Sequence, residues 1–196
     1  MRRLIQYLQS RGIRCRHLWL RYPFFFSLPL LVYARWRRYS WYEVANGVRY
    51  GYWDFGQSPL MRRVFPWVYL LDAMLAAVIH VYLPLWLGMT TVCERFALDM
   101  LVDLTVALKN PAFHRSLPGA WFSRLLPECS SVMILDLDAE TIRERRRDLQ
   151  FDRRLEARLE AYRRLASDKS IPQASSAGPM EEVAANILTV IEGKNE

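Results

Sequence analysis

Glu94 and Arg95 are adjacent, opposite in charge, and follow a short β-rich run, Thr90 to Cys93. Phe96 comes next. A helical pattern then begins, with Leu98, Leu101, Val102 and Thr105 on its apolar positions and acids at Asp99 and Asp103. A buried strand that delivers an acid–base pair just ahead of a helix places it where open α/β sheets bind ligands. There an acid can hold a hydrated Mg²⁺, and an arginine can grip a phosphate in a fork. A surface ion pair at a strand end would read the same way. The second charged group is the run Arg143, Arg145, Arg146 and Arg147. Glu144, Asp148 and Asp152 stand among these arginines, as they would on a solvated, salt-bridged helix.

The elements that position these groups must come from 196 residues, enough for one domain with a sizeable core. The chain is 52% hydrophobic, which excludes general disorder. The net charge is +7, and only Lys109, Lys169 and Lys194 among the basic residues are not arginine. The arginine fork suits phosphate, although a G+C-rich gene would give the same excess. Nucleic-acid binding is not expected, because the arginines are interleaved with acids and no stacking module is present. Cys15, Cys93 and Cys129 have no zinc or CxxC spacing and read as reduced, mostly buried thiols of a cytoplasmic protein. His17, His80 and His114 are scattered and read as structural.

Taken in order, residues 2–11 predict a helix stopped by Gly12, and residues 13–20 a strand. A helix or irregular apolar segment runs to about Arg38, and a loop-like aromatic insertion near the ligand side, with room for short strands, spans 39–59. A helix is predicted from Leu60 to about Tyr82. Within it, residues 67–87 are apolar enough to span a bilayer, with Asp72 and His80 as breaks. The costly Asp72 favours a buried or interface helix, and the helix is a candidate to pack on its own copy as a homodimer. The strand ending at Arg95, a helix to about Lys109, short helices before Pro127 and a strand over 131–136 follow. Asp138 is the expected N-cap of a helix, with Thr141 three residues on. Phe151, Leu155, Leu159, Tyr162 and Leu165 share one face of another helix, with Glu160 and Arg164 paired outside. A last short strand falls within 169–174 and a last helix over 181–191. This alternation predicts an α/β fold with a mainly parallel sheet and flanking helices.

Three blocks resemble the thymidylate kinase family of P-loop nucleoside monophosphate kinases. Val92-Cys93-Glu94-Arg95-Phe96 with Asp99 is similar to the family's strand ending in Asp-Arg-Tyr/His. Met133 to Glu140, with Arg143 behind it, is similar to the strand leading into the mobile lid. Gln173-Ala174-Ser175 and the segment from Met180 are similar to the last strand and helix. Arg21-Tyr22-Pro23 matches the place of the family's Arg-Glu-Pro. The resemblance implies one domain over 1–196, a three-layer P-loop-type sandwich, with a lid at about 139–166. It implies that Arg95 holds the acceptor phosphate, with Arg21, Asp72, Phe96 and Asp99 around the substrate. Glu94 would stand where the family has Asp, reaching Mg²⁺ through water. Arg143, Arg146 and Arg147 would close over the transferring phosphates of ATP, the main lever in phosphoryl transfer.

Two features depart from the pattern. Ala73 stands where the family has an arginine after Asp72, and no GxxxxGK[ST] occurs. Residues 1–5 look like the middle of the helix that normally follows that motif. The expectation is an N-terminally incomplete domain, inactive as it stands, whose first strand and phosphate loop lie upstream of Met1. A remnant without ATP binding is the competing explanation. The functional expectation is therefore ATP-dependent phosphoryl transfer to a nucleoside monophosphate or related acceptor. The alternatives are a non-catalytic binding or regulatory protein and a membrane-associated protein built on 67–87.

Overall fold

The computed structural model describes residues 2–176, so the helix expected over 181–191 lies outside the described residues. The chain is α/β, with short parallel sheets flanked by helices. It divides into two compact units, Met1–Pro127 and one beginning at Glu128.

In the first unit, α1 (Arg2–Ser10) ends at Gly12, whose φ of 76° lets the chain reverse without a Cβ clash. The chain returns as β1 (Cys15–Trp19), and the Cys15 thiol donates to the Ile5 carbonyl on α1. Next comes α2 (Leu28–Trp36). Within the aromatic insertion, the short strands form an antiparallel hairpin, β2 (Ser40–Ala45) and β3 (Val48–Trp53). Asn46 and Gly47 join them with φ of 48° and 75°, the doubly positive pair of a type I′ turn. Its inward side chains, Tyr50 and Tyr52, are buried.

The long helix α3 (Pro59–Ala77) starts where the Ser58 side chain accepts from Met61 N–H, with Pro59 at its first turn. It continues through a π turn (Val78–Tyr82) into α4 (Leu83–Trp86). The whole run of 28 residues, beyond the predicted end at Tyr82, is long and apolar enough to cross a membrane. Its inner face is the core of this unit: Met61, Phe65, Tyr69, Ala73 and Ala76 are all buried. The strand β4 (Thr90–Arg95) pairs in parallel with β1. It leads into α5 (Ala97–Ala107), which is enclosed almost all round, as its apolar sequence requires. Then α6 (Leu117–Arg124) packs close to the preceding turn, where Gly119 leaves no room for a side chain.

In the second unit, β5 (Ile134–Asp136) pairs in parallel with β6 (Gln173–Ser175). The predicted strand over 131–136 is shorter than expected. α7 (Ala139–Arg145) is capped by Asp138, which accepts from the Thr141 N–H at 2.8 Å, as its spacing predicts. α8 (Leu155–Lys169) buries Leu155 and Leu165 and carries the Glu160–Arg164 pair outside. Phe151 precedes this helix and is exposed, so it does not share the predicted face. The cysteines also differ from expectation: all three are free, but Cys93 and Cys129 are exposed.

Candidate functional site

The site lies in the first unit, where β1 and β4 end side by side. Their register runs evenly from Cys15 opposite Thr90 to Leu18 opposite Cys93, then jumps to Trp19 opposite Arg95. Glu94 is the extra residue of this bulge. Bulges re-aim side chains and are frequent beside active sites. The Leu20 N–H donates to the Arg95 carbonyl at 3.0 Å, so the chain leaves β1 alongside the end of β4 before it reaches Arg21.

Both arginines are held by α5. Arg95 Nη1 donates to Asp99 Oδ1 at 2.8 Å, and Asp99 Oδ2 accepts the Phe96 N–H at 3.1 Å. Asp99 therefore caps the helix and fixes the arginine together. One turn on, Asp103 takes Arg21 in a two-point fork, Nε and Nη2 each at 2.7 Å. This pair is nearly enclosed, while Arg95 keeps about a quarter of its side chain in solvent, at 27%. A guanidinium has five N–H donors in a planar fork.

An aromatic wall borders Arg21. Its guanidinium lies 5.0 Å from the Tyr22 ring centre, and Tyr22 stacks on Phe24 at 5.6 Å. Trp53, from the end of β3, meets the edges of both. The Tyr69 hydroxyl donates to the Arg21 carbonyl at 2.6 Å. Burial, and then the charge of Asp103, holds the Tyr69 phenol well above its ordinary pKa, so it stays a donor.

The other residues singled out by sequence have different surroundings. Glu94 bonds the His17 ring at 3.1 Å, with both side chains near half exposed. No group of three or more His, Cys, Asp or Glu side chains able to hold a metal converges among the described residues. Phe96 is buried and contributes its backbone N–H. Asp72 is fully buried and accepts from the N–H groups of Phe25, Phe26 and Ser27 and from the Ser27 hydroxyl. Its carboxylate anchors the start of α2.

The arginine run belongs to the second unit. Arg143 pairs with Glu156 at 2.9 Å, and Arg146 forks onto Asp148, whose carboxyl that contact lowers below its ordinary pKa. Arg147 lies in a short 3₁₀ turn past the end of α7. A hollow of about 660 Å³ in this unit is lined by Asp138, Glu140, Glu144, Glu156 and Arg143. Four acids around one paired arginine make it a poor place for an anion.

Asp103 and Tyr69 are the site residues that sequence reasoning missed. The signal for Asp103 was present, four residues after Asp99 and so on the same helix face. Tyr69 carries no such mark beyond lying one turn before Asp72 on the buried face. No family model matches the chain, and no curated protein matches it either.

Proposed function

We propose that the shelf formed by Arg21 and Arg95 binds the phosphate of a nucleoside monophosphate or a related phosphorylated acceptor. In this reading the chain is a thymidylate kinase-like phosphotransferase. The observation that carries it is the placement of two arginines at the C-terminal ends of adjacent parallel strands, each aimed by an acid of α5. Strand ends of this kind are where open α/β folds take ligands. The wall of Tyr22, Phe24 and Trp53 supports the reading, because aromatic faces accept a base by stacking. A P-loop-type three-layer sandwich with one strand fewer is the finer fold proposal. Two short parallel pairs, each below the size of an ordinary parallel sheet, favour it.

ATP and Mg²⁺ enter only through the resemblance, since this sequence contains no glycine-rich phosphate cradle. Arg143 and Arg146 would act as lid charges after exchanging Glu156 and Asp148 for phosphate, with Arg147 beside them in the chain. A binding protein without turnover is the second reading, favoured by Glu94 being engaged with His17.

The test is calorimetric titration of nucleoside monophosphates into the wild type and Arg95→Ala, followed by a phosphoryl-transfer assay with ATP·Mg²⁺. The expected result is binding that Arg95→Ala weakens about 10–100-fold, the value of one charge-assisted hydrogen-bonded contact. Binding with transfer supports the kinase, and binding alone supports the second reading. No binding at millimolar ligand, or binding indifferent to Arg95→Ala, removes both.

A further inference from the structure

The helix running from Pro59 to Trp86 is apolar on its outside as well as its inside. Between Val64 and Ile79 every exposed residue is large and apolar: Val64, Trp67, Leu71, Met74, Leu75, Val78 and Ile79. No charged side chain interrupts this stretch, because Asp72 is turned into the core. The seam Leu60, Val64, Trp67, Leu71, Met74, Val78 has spacings of 4, 3, 4, 3 and 4 residues. That is the 3.5-residue repeat with which one helix meets another over its length. No described residue covers it, since these side chains remain 37–54% exposed.

We infer that this seam is a two-fold antiparallel contact with a second copy of this chain. The self-complementarity of the spacing argues for the copy as occupant. If the two helices cross antiparallel about position 69, Leu60 faces Val78 of the other copy. Val64 then faces Met74, and Trp67 faces Leu71. All six seam residues are used, each long or aromatic side chain opposite a smaller aliphatic or flexible one, and the contact closes on itself. Arg62 and Arg63 support the direction. In a parallel pair they would meet their own copies. In the antiparallel pair equivalent arginines are about 20 Å apart, at 1.5 Å per residue, beyond the Debye length in physiological salt. The area also suffices. Eight side chains, the seam with Leu75 and Ile79, expose on the order of 600 Å² per chain, so their full burial in the pair reaches about 1,200 Å², the lower bound of stable specific interfaces.

A membrane surface is the competing occupant. A helix lying in a bilayer interface carries Lys or Arg along its polar flanks. Here the exposed residues beside the seam, Leu75 and Ile79, are apolar, and the arginines Arg62 and Arg63 are confined to one end. The inference is independent of the phosphate-binding reading, because it uses none of the same side chains.

The experiment is sedimentation of the full chain at 1–50 μM, with cysteine cross-linking. The wild type is expected at twice its 23.2 kDa mass. Leu71→Glu is expected to shift it to monomer while leaving the thermal melt of the fold in place, since Leu71 is half exposed. In a Cys93→Ser, Cys129→Ser background, Val64→Cys with Met74→Cys in one chain should cross-link two copies, and neither substitution alone should. A monomeric wild type overturns the inference. So does a dimer that Leu71→Glu leaves intact or that fails to cross-link through 64 and 74. Recovery of a monomer on phosphatidylcholine–phosphatidylserine vesicles would assign the seam to a membrane instead.

Discussion

Asp99 and Asp103 stand one turn apart on α5, and each holds an arginine, Asp99 the Arg95 that ends β4 and Asp103 the Arg21 two residues past β1. A single helix face thereby sets the spacing of two guanidiniums contributed from far apart in the chain. The Asp103 pair is nearly enclosed, so its two charges depend on each other. Removing one strips the other of an opposite charge while it stays buried, which costs more than the pair's own net contribution.

Asp103→Asn is therefore expected to destabilise the protein by about 2–4 kcal/mol, whereas Asp103→Asn with Arg21→Met should cost less than the two single changes added together. Urea denaturation of the four proteins in a double-mutant cycle measures this. Additive costs would show that Arg21 and Asp103 do not act as a pair.

Asp72→Ala should be the most damaging change in α3. It strips the acceptor from three backbone N–H groups and one hydroxyl. An orphaned buried donor costs about 1–3 kcal/mol, so the sum exceeds about 3 kcal/mol unless water enters. Asp72→Asn keeps the shape and one oxygen and should fall between. Hydrogen exchange in Phe25–Leu31 reports it directly, and unchanged protection there in Asp72→Ala would refute the anchoring role.

The difference between Asp72 and Asp99 explains what the sequence could disclose. Both are acids in apolar helical patterns, and the resemblance assigned both to the substrate. Asp99 sits within four residues of its arginine, and local spacing foretells that pair. The partners of Asp72 lie 45–47 residues away and are three backbone N–H groups and the Ser27 hydroxyl, which no residue pattern marks. Arg21 and Asp103, 82 residues apart, meet only because β1 and β4 pair. The alternation of strands and helices was legible because hydrophobic period is local. The hairpin was legible in principle, since Asn46-Gly47 between aromatic runs is a strong turn signal. Its glycines and polar neighbours suggested a loop-like insertion with short strands and hid the pairing. The exposed Cys93 and Cys129 escaped because burial is a tertiary property that a residue's type only biases.

Gly119→Ala tests the packing that holds α6. A Cβ there would stand 2.2 Å from the Phe113 carbonyl oxygen and 2.8 Å from the His114 Cα. Both are backbone atoms of a turn closed by its own hydrogen bonds, so neither can give way cheaply. A loss of several kcal/mol is expected, comparable to overpacking a core. Gly51→Ala is the control, because its added Cβ would meet only the Tyr42 ring, at 3.2 Å. A melting temperature for Gly119→Ala within a degree or two of Gly51→Ala would contradict the observed fit.

Cys93 lies two residues before Arg95 and supplies a pH test. Burial pushes its thiol up to about 11, and the Asp99 charge adds to this while Arg16 opposes it. The residue still reaches solvent, so reagent can approach; the protein surrounding the sulfur governs ionisation and keeps the thiolate scarce. Only the thiolate attacks an alkylating agent. At pH 8 a thiol two units above its usual value carries about a hundredth of the usual thiolate, and its reaction slows about a hundredfold. The rate should then climb about tenfold per pH unit up to about pH 10. Since the folded thiol ionises later than the unfolded one, it also contributes stability that is full below pH 9.0 and fades as pH rises towards 11. Iodoacetamide labelling of a Cys15→Ser, Cys129→Ser chain, followed by intact mass, reads the rate at each pH. A rate that levels off near pH 9 would mean that the Cys93 sulfur is solvated like a free thiol.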